Sequence, residues 1–102
     1  MREKQVEKIL VDGVRALGGV AFKFVSPGND GVPDRIVVLP YCRPAFVELK
    51  TEVGRLSPRQ KVQIERLDKM GQPVYVLHGP TEVRDFLDQM ALVRAEESVK
   101  RL

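Results

Sequence analysis

The chain has 102 residues, enough for one domain and too few for two. Hydrophobic residues make up 43% of it, so a packed core is available; the single cysteine, Cys42, and the single histidine, His78, exclude an internal disulfide and a cysteine-based zinc site. The net charge of +3, from 17 basic and 14 acidic residues, permits nucleic-acid binding without demanding it.

No apolar run approaches the roughly 20 residues of a membrane span. The charged start, Met1-Arg2-Glu3-Lys4-Gln5, has no apolar stretch behind it that would make a secretory signal. A reducing, cytoplasmic compartment is expected.

In chain order, Val6, Ile9, Leu10, Val14 and Leu17 recur at helical spacing and predict an amphipathic helix over 3–17, ended by Gly18-Gly19. Val20 to Val25 reads as a strand. Ser26 to Pro33 is crowded with turn formers, and its Gly28–Gly31 stretch is expected to be mobile and small enough to admit a DNA backbone. Asp34 to Leu39 is a second strand whose aliphatic run suggests burial on both faces, and so a central position. Pro40 to Pro44 turns the chain, with Cys42 exposed at the tip, into a third strand, Ala45 to Lys50, antiparallel to the second.

Ser57-Pro58-Arg59-Gln60 combines a cap, a proline suited to the first turn and a glutamine that completes a capping box. It announces a helix with Ile64, Leu67 and Met70 on its apolar side, stopped by Gly71. Pro73 to Leu77 is a fourth strand. A last helix from Thr81 turns Val83, Phe86, Leu87 and Met90 to the core, and Glu96 to Leu102 is expected to fray. The order α-β-β-β-α-β-α describes an α/β fold, a small mixed sheet flanked by helices. The domain is expected over 1–92, with a tail over 93–102.

Chemistry gathers on the hairpin of the second and third strands. Side chains alternate along a strand, so Glu48 and Lys50 share a face and Leu49 points away. A turn centred near Cys42 would set Asp34 across from Lys50, one pleat from Glu48. Two readings follow. One is a surface ion pair between Asp34 and Lys50, which contributes little. The other is a hard-cation site, in which two carboxylates, a backbone carbonyl and waters surround Mg²⁺ and a lysine stands beside them.

Pro33-Asp34 followed by Glu48-Leu49-Lys50 resembles the PD-(D/E)XK signature of restriction-endonuclease-like nucleases. Gly18-Gly19, Phe22-Lys23-Phe24, Gly31-Val32-Pro33-Asp34-Arg35, Phe46 to Lys50, Ser57 with Gln60, and Gly71 before Val74-Tyr75-Val76 together resemble the VRR-NUC (virus-type replication-repair nuclease) family, over roughly residues 3 to 90. The chain looks like the stand-alone members of that family found in phages and prophages. The resemblance implies a restriction-endonuclease-like core and an Mg²⁺- or Mn²⁺-dependent endodeoxyribonuclease acting in DNA repair or recombination. Its implied substrate is branched double-stranded DNA, foremost the four-way (Holliday) junction cut by the similar archaeal resolvases, and its implied state is a homodimer, for which Leu92, Val93, Val99 and Leu102 are surplus apolar residues.

By the same resemblance, Asp34, Glu48 and the Leu49 carbonyl would hold the metal, Lys50 would be the catalytic lysine, and Gln60 would stand near the metal while also serving its cap. Glu7 is similar to an additional acidic residue of the archaeal resolvases, with Glu3, one turn earlier, as second choice. Lys23, Ser26, Arg35, Arg55, Arg59 and Lys61 are candidate phosphate contacts, with Arg66 beyond them. No recognition helix or zinc finger is visible, and aromatics are 6%, so recognition by backbone shape is expected. The alternatives are a monomeric flap or nicking nuclease, a non-catalytic DNA-binding module on the same fold, and a structural protein whose hairpin charges only pair.

Overall fold

The computed structural model describes residues 1–101. Its elements are α1 (Glu3–Ala16), β1 (Val20–Lys23), β2 (Arg35–Val38), β3 (Ala45–Lys50), α2 (Pro58–Lys69), β4 (Val74–His78) and α3 (Gly79–Lys100). This is the expected order and the expected mixed α/β architecture. The sheet runs β1-β2-β3-β4. The first three strands form an antiparallel meander, and α2 carries the chain over to β4, parallel to β3.

The apolar stripe of α1 is buried as its spacing requires: Val6, Leu10 and Val14 are fully enclosed. They meet Ala21, Val37, Val47 and Leu49 from one sheet face and Val83 and Phe86 from α3. Helices α1 and α3 therefore share one side of the sheet. Gly18, at φ +86°, closes α1, and the Gly19 N–H returns to the Val14 carbonyl at 3.0 Å.

Two expectations about the strands change. The strand buried on both faces is β3, where Ala45, Val47, Glu48 and Leu49 are all enclosed; β2 buries Val37 but leaves Val38 exposed. An aliphatic run marks affinity for a core, and here a single core face suffices for β2. The hairpin register also differs, since Arg35 opposes Val47 and Val37 opposes Ala45. Continuing that register sets Asp34 across from Glu48, not Lys50. The shift follows from the turn, where Tyr41 takes a left-handed φ of +65° and moves the hairpin centre toward itself.

The C-terminal residues also differ from expectation. α3 begins at Gly79 rather than Thr81, with Glu82 Oε1 accepting the His78 N–H at 3.0 Å, and it continues unbroken through Lys100. Arg101 lies over the Tyr41 ring at 5.4 Å, and half-buried Cys42 packs against the core near Arg94 and Glu97, so the hairpin tip anchors the charged end of the helix. The expected exposure of Cys42 does not hold, because α3 reaches over the tip. Leu102 lies outside the described residues. No helix among the described residues is long and apolar enough to cross a membrane.

Leu10 sits at the meeting point of both helices and the sheet. Leu10→Ala should cost about 2–5 kcal/mol, read as a lowered denaturant midpoint with an unchanged slope.

Candidate active site

One end of the sheet collects the polar residues singled out by sequence. Glu48 projects from the middle of β3, opposite Val76 of β4, and is 1% exposed. Its Oε2 accepts a hydrogen bond from Gln60 Nε2 at 3.0 Å and lies 3.7 Å from Lys50 Nζ. Its Oε1 is buried without a hydrogen-bond partner among the described residues. Lys50 thus pairs along its own strand face with Glu48, and the cross-strand pair with Asp34 is not formed.

Asp34 precedes β2. Its carbonyl accepts the Phe24 N–H at 2.9 Å, and its Oδ2 accepts the Leu49 N–H, also at 2.9 Å. The first bond anchors Asp34 to the chain beyond β1, and the second aims its side chain at β3.

Gln60 completes the expected cap and also reaches Glu48. Its Oε1 accepts the Ser57 N–H at 2.8 Å, and its own N–H donates to Ser57 Oγ at 3.1 Å, completing the capping box. With its oxygen engaged by the cap, the amide turns its NH₂ toward Glu48. The glycine-rich loop secures this helix end. Gly31, at φ +90°, lies so close to α2 that a Cβ would sit 2.6 Å from the Arg59 carbonyl carbon. Asp30 pairs with Arg59, and Gln63 Nε2 donates to the Asp30 carbonyl at 3.3 Å. The loop expected to be mobile is fastened to α2.

Helix α1 contributes the third carboxylate. Oxygens of Glu3, Asp34 and Glu48 lie within 4.8 Å of one another. Glu7 does not join them; its Oε1 accepts from Arg35 Nη2 at 2.8 Å. Both glutamates lie on one helix face, a turn apart, and helical periodicity could not choose between them. What decides is how far α1 extends past the sheet, and its first residue is the one that reaches.

Burial pushes the Glu48 carboxyl up from 4.5 to about 8; the Asp34 charge adds to the shift and Lys50 opposes it. A buried carboxylate oxygen with no donor, next to two further carboxylates, is the donor set that a hard divalent cation takes.

The remaining candidates scatter. Ser26 is half-buried and its Oγ accepts from Asn29 Nδ2 at 2.9 Å, inside the loop. Arg35 is engaged with Glu7 and with the Ala21 carbonyl, and Arg59 with Asp30. Lys23, Arg55, Lys61 and Arg66 are exposed.

An α/β sheet presenting an acidic cluster and a lysine at one end defines the restriction-endonuclease-like class. The VRR-NUC domain model matches residues 14–81. A protein of Acyrthosiphon pisum secondary endosymbiont phage 1, described as "Putative nuclease p44", is 48% identical over 77 residues, which span 76% of this chain and 83% of that one. A solved structure described as "VRR_NUC domain" superposes with a TM-score of 0.77 at 32% identity, covering 84% of this chain and 94% of the other. A second, a "VRR_NUC domain protein", shares the fold at a TM-score of 0.62 and 22% identity over 87% of each chain. The chain belongs to the VRR-NUC family of nucleases.

The raised Glu48 value carries a sign. In the unfolded chain the group titrates near 4.5, so between 4.5 and 8 the folded, metal-free protein holds the additional proton. Its contribution to stability is greatest below that window and declines as pH rises through it. The metal-free melting temperature should fall from about pH 5 to about pH 8 more steeply in the wild type than in Glu48→Gln. Mn²⁺ should raise it more at the upper pH, where the proton no longer competes. Parallel wild-type and Glu48→Gln melting profiles would contradict this.

Proposed function

We propose that the protein is a metal-dependent endodeoxyribonuclease that hydrolyses phosphodiesters in branched DNA, foremost four-way junctions, as a homodimer. The observation that carries the reading is the buried Glu48 carboxylate, one oxygen of which has no partner among the described residues, clustered with the Asp34 and Glu3 carboxylates within 4.8 Å.

Glu3, Asp34 and Glu48, with the Leu49 carbonyl, would hold Mg²⁺ or Mn²⁺. When bound, the ion supplies charge to the phosphoryl oxygens and acidity to a water. Lys50, on the Glu48 face, positions the attacking water, or takes its proton when neutral, or as the ammonium donates to the phosphoryl oxygen that gains charge. Gln60 holds Glu48 Oε2 from the opposite side, so the carboxylate keeps one orientation. Water loses a proton as its oxygen bonds to phosphorus, the bond to one ester oxygen breaks, and that oxygen takes up a proton to leave as a hydroxyl, which cuts the strand. Exposed Lys23, Arg55, Lys61 and Arg66 are the cations free to neutralise neighbouring phosphates.

Preference for branched DNA is drawn from the resemblance of the motifs to junction resolvases and is favoured by the lack of any base-reading element in the sequence. Two supports favour the dimer. A four-way junction offers two symmetric scissile positions, matched by a two-fold pair of sites. The sheet face turned away from α1 and α3 also leaves Val20 and Phe22 about half exposed, at 51% and 54%, with Val38 beside them at 38%.

The test is cleavage of a labelled four-way junction beside a flap and a linear duplex, with Mg²⁺, Mn²⁺ or EDTA. Symmetric cuts in the junction are expected, abolished by EDTA and reduced at least about a thousandfold by Asp34→Ala, Glu48→Ala or Lys50→Ala. Cutting of the flap alone would remove the resolvase reading, and binding without cutting would remove the nuclease reading of this site. For the dimer, Phe22→Asp should convert the sedimenting species to a monomer; an unchanged mass would clear that face of the role.

A further inference from the structure

We infer that the Glu7–Arg35 ion pair positions the first turn of α1 so that Glu3 reaches the Asp34–Glu48 carboxylates; the inference rests on the reading of those three groups as a cation site. Arg35 follows Asp34 directly but points to the opposite sheet face, the one that α1 covers, since it opposes Val47 in register. Its side chain is 15% exposed. Nη1 donates to the Ala21 carbonyl of β1 at 2.9 Å and Nη2 donates to Glu7 Oε1 of α1 at 2.8 Å. One guanidinium therefore ties two strands and a helix at the end of the sheet where Asp34 sits.

Its Nε is buried without a partner among the described residues. An enclosed guanidinium left short of one acceptor is a costly way to hold a helix whose Val6, Leu10 and Val14 are already buried. Apolar packing of Val6 seats the first turn of α1 along one stripe, however, and leaves its polar edge, at the end where helices fray, to other contacts. Glu3 lies in that turn, one helical turn before Glu7 and on the same face. The single bond from Arg35 Nη2 to Glu7 Oε1, made by a guanidinium that is itself held on the Ala21 carbonyl, ties this edge of α1 to the sheet and with it the position of the Glu3 carboxylate. Gln5 Oε1, which accepts the Arg2 N–H at 2.8 Å, tightens the same turn. Asp34 and Arg35 then act in alternation: one places its carboxylate in the cluster, and the next places the helix that brings the third member.

Glu7 and Arg35 are thus positioning residues acting through Glu3, and a double-mutant cycle on metal affinity separates this from a plain structural tie. Mn²⁺ binding would be measured calorimetrically, without DNA, for wild type, Glu7→Gln, Glu3→Gln and the double variant, with melting temperatures alongside. Glu7→Gln should weaken Mn²⁺ binding about tenfold, within the range for residues that orient metal ligands. The same change in the Glu3→Gln background should have no further effect on Mn²⁺ binding, and Arg35→Met should reproduce Glu7→Gln. Wild-type affinity in Glu7→Gln, with only the melting temperature lowered, would overturn the inference. So would equal losses from Glu7→Gln with and without Glu3. Absence of Mn²⁺ binding by the wild type would defeat the cation-site reading first, and this inference with it.

Discussion

The arrangement turns on one buried carboxylate. Glu48 occupies a strand position 1% exposed, where an apolar side chain would cost nothing and an ionised one loses its hydration. Its neighbours answer this only in part. Gln60 satisfies one oxygen, Lys50 stands at 3.7 Å, and the other oxygen has no donor among the described residues. Without a cation the group retains a proton until about pH 8. Fold and chemistry pull against each other here, as expected where binding energy is used for reaction rather than for stability.

Four elements converge to keep the carboxylate and its partners in register. β3 supplies Glu48 and Lys50, and the chain entering β2 supplies Asp34, locked to β3 through the Leu49 N–H. α2 supplies Gln60, whose amide is oriented by its own capping box. α1 reaches over the end of the sheet with Glu3. Each functional side chain is fixed by a backbone feature its element needs in any case: a strand end, a helix cap, a helix start. That economy lets a 102-residue chain hold an acidic cluster without an additional layer of support.

Much of this was legible in sequence because the signals are local. The capping box of α2, the glycines closing α1 and the alternation that puts Glu48 and Lys50 on one face depend only on near neighbours. What was hidden depends on distance. The hairpin register rests on the φ of Tyr41, which no spacing reveals. The choice of Glu3 over Glu7 depends on where α1 lies along the sheet, because the two share a helical face. The burial assigned to β2 belongs to β3, since only packing discloses which strand the helices flank on both sides. The charged end of α3 reads as a loose tail until the hairpin tip beneath it is seen. Arg35 looks like a surface cation until Glu7 is found bonded to it, at 15% exposure, whereas Arg59 remains at the surface in its pair with Asp30.

The same logic marks α2 as the element most dependent on the site. None of its residues is fully buried, whereas α1 and α3 each bury several. Beside half-buried Ile64 and Leu67, it is held by polar and close-packed contacts at one end: Gln60 on Glu48 and Gly31 against its first turn, with the exposed Arg59–Asp30 pair adding little. A helix held in that way has a low local stability, and its position responds to whatever alters Glu48. Protonation of Glu48 weakens the bond to the Gln60 NH₂, because a neutral carboxyl accepts less strongly than a carboxylate. The seating of this helix end is in this way tied to the charge on Glu48.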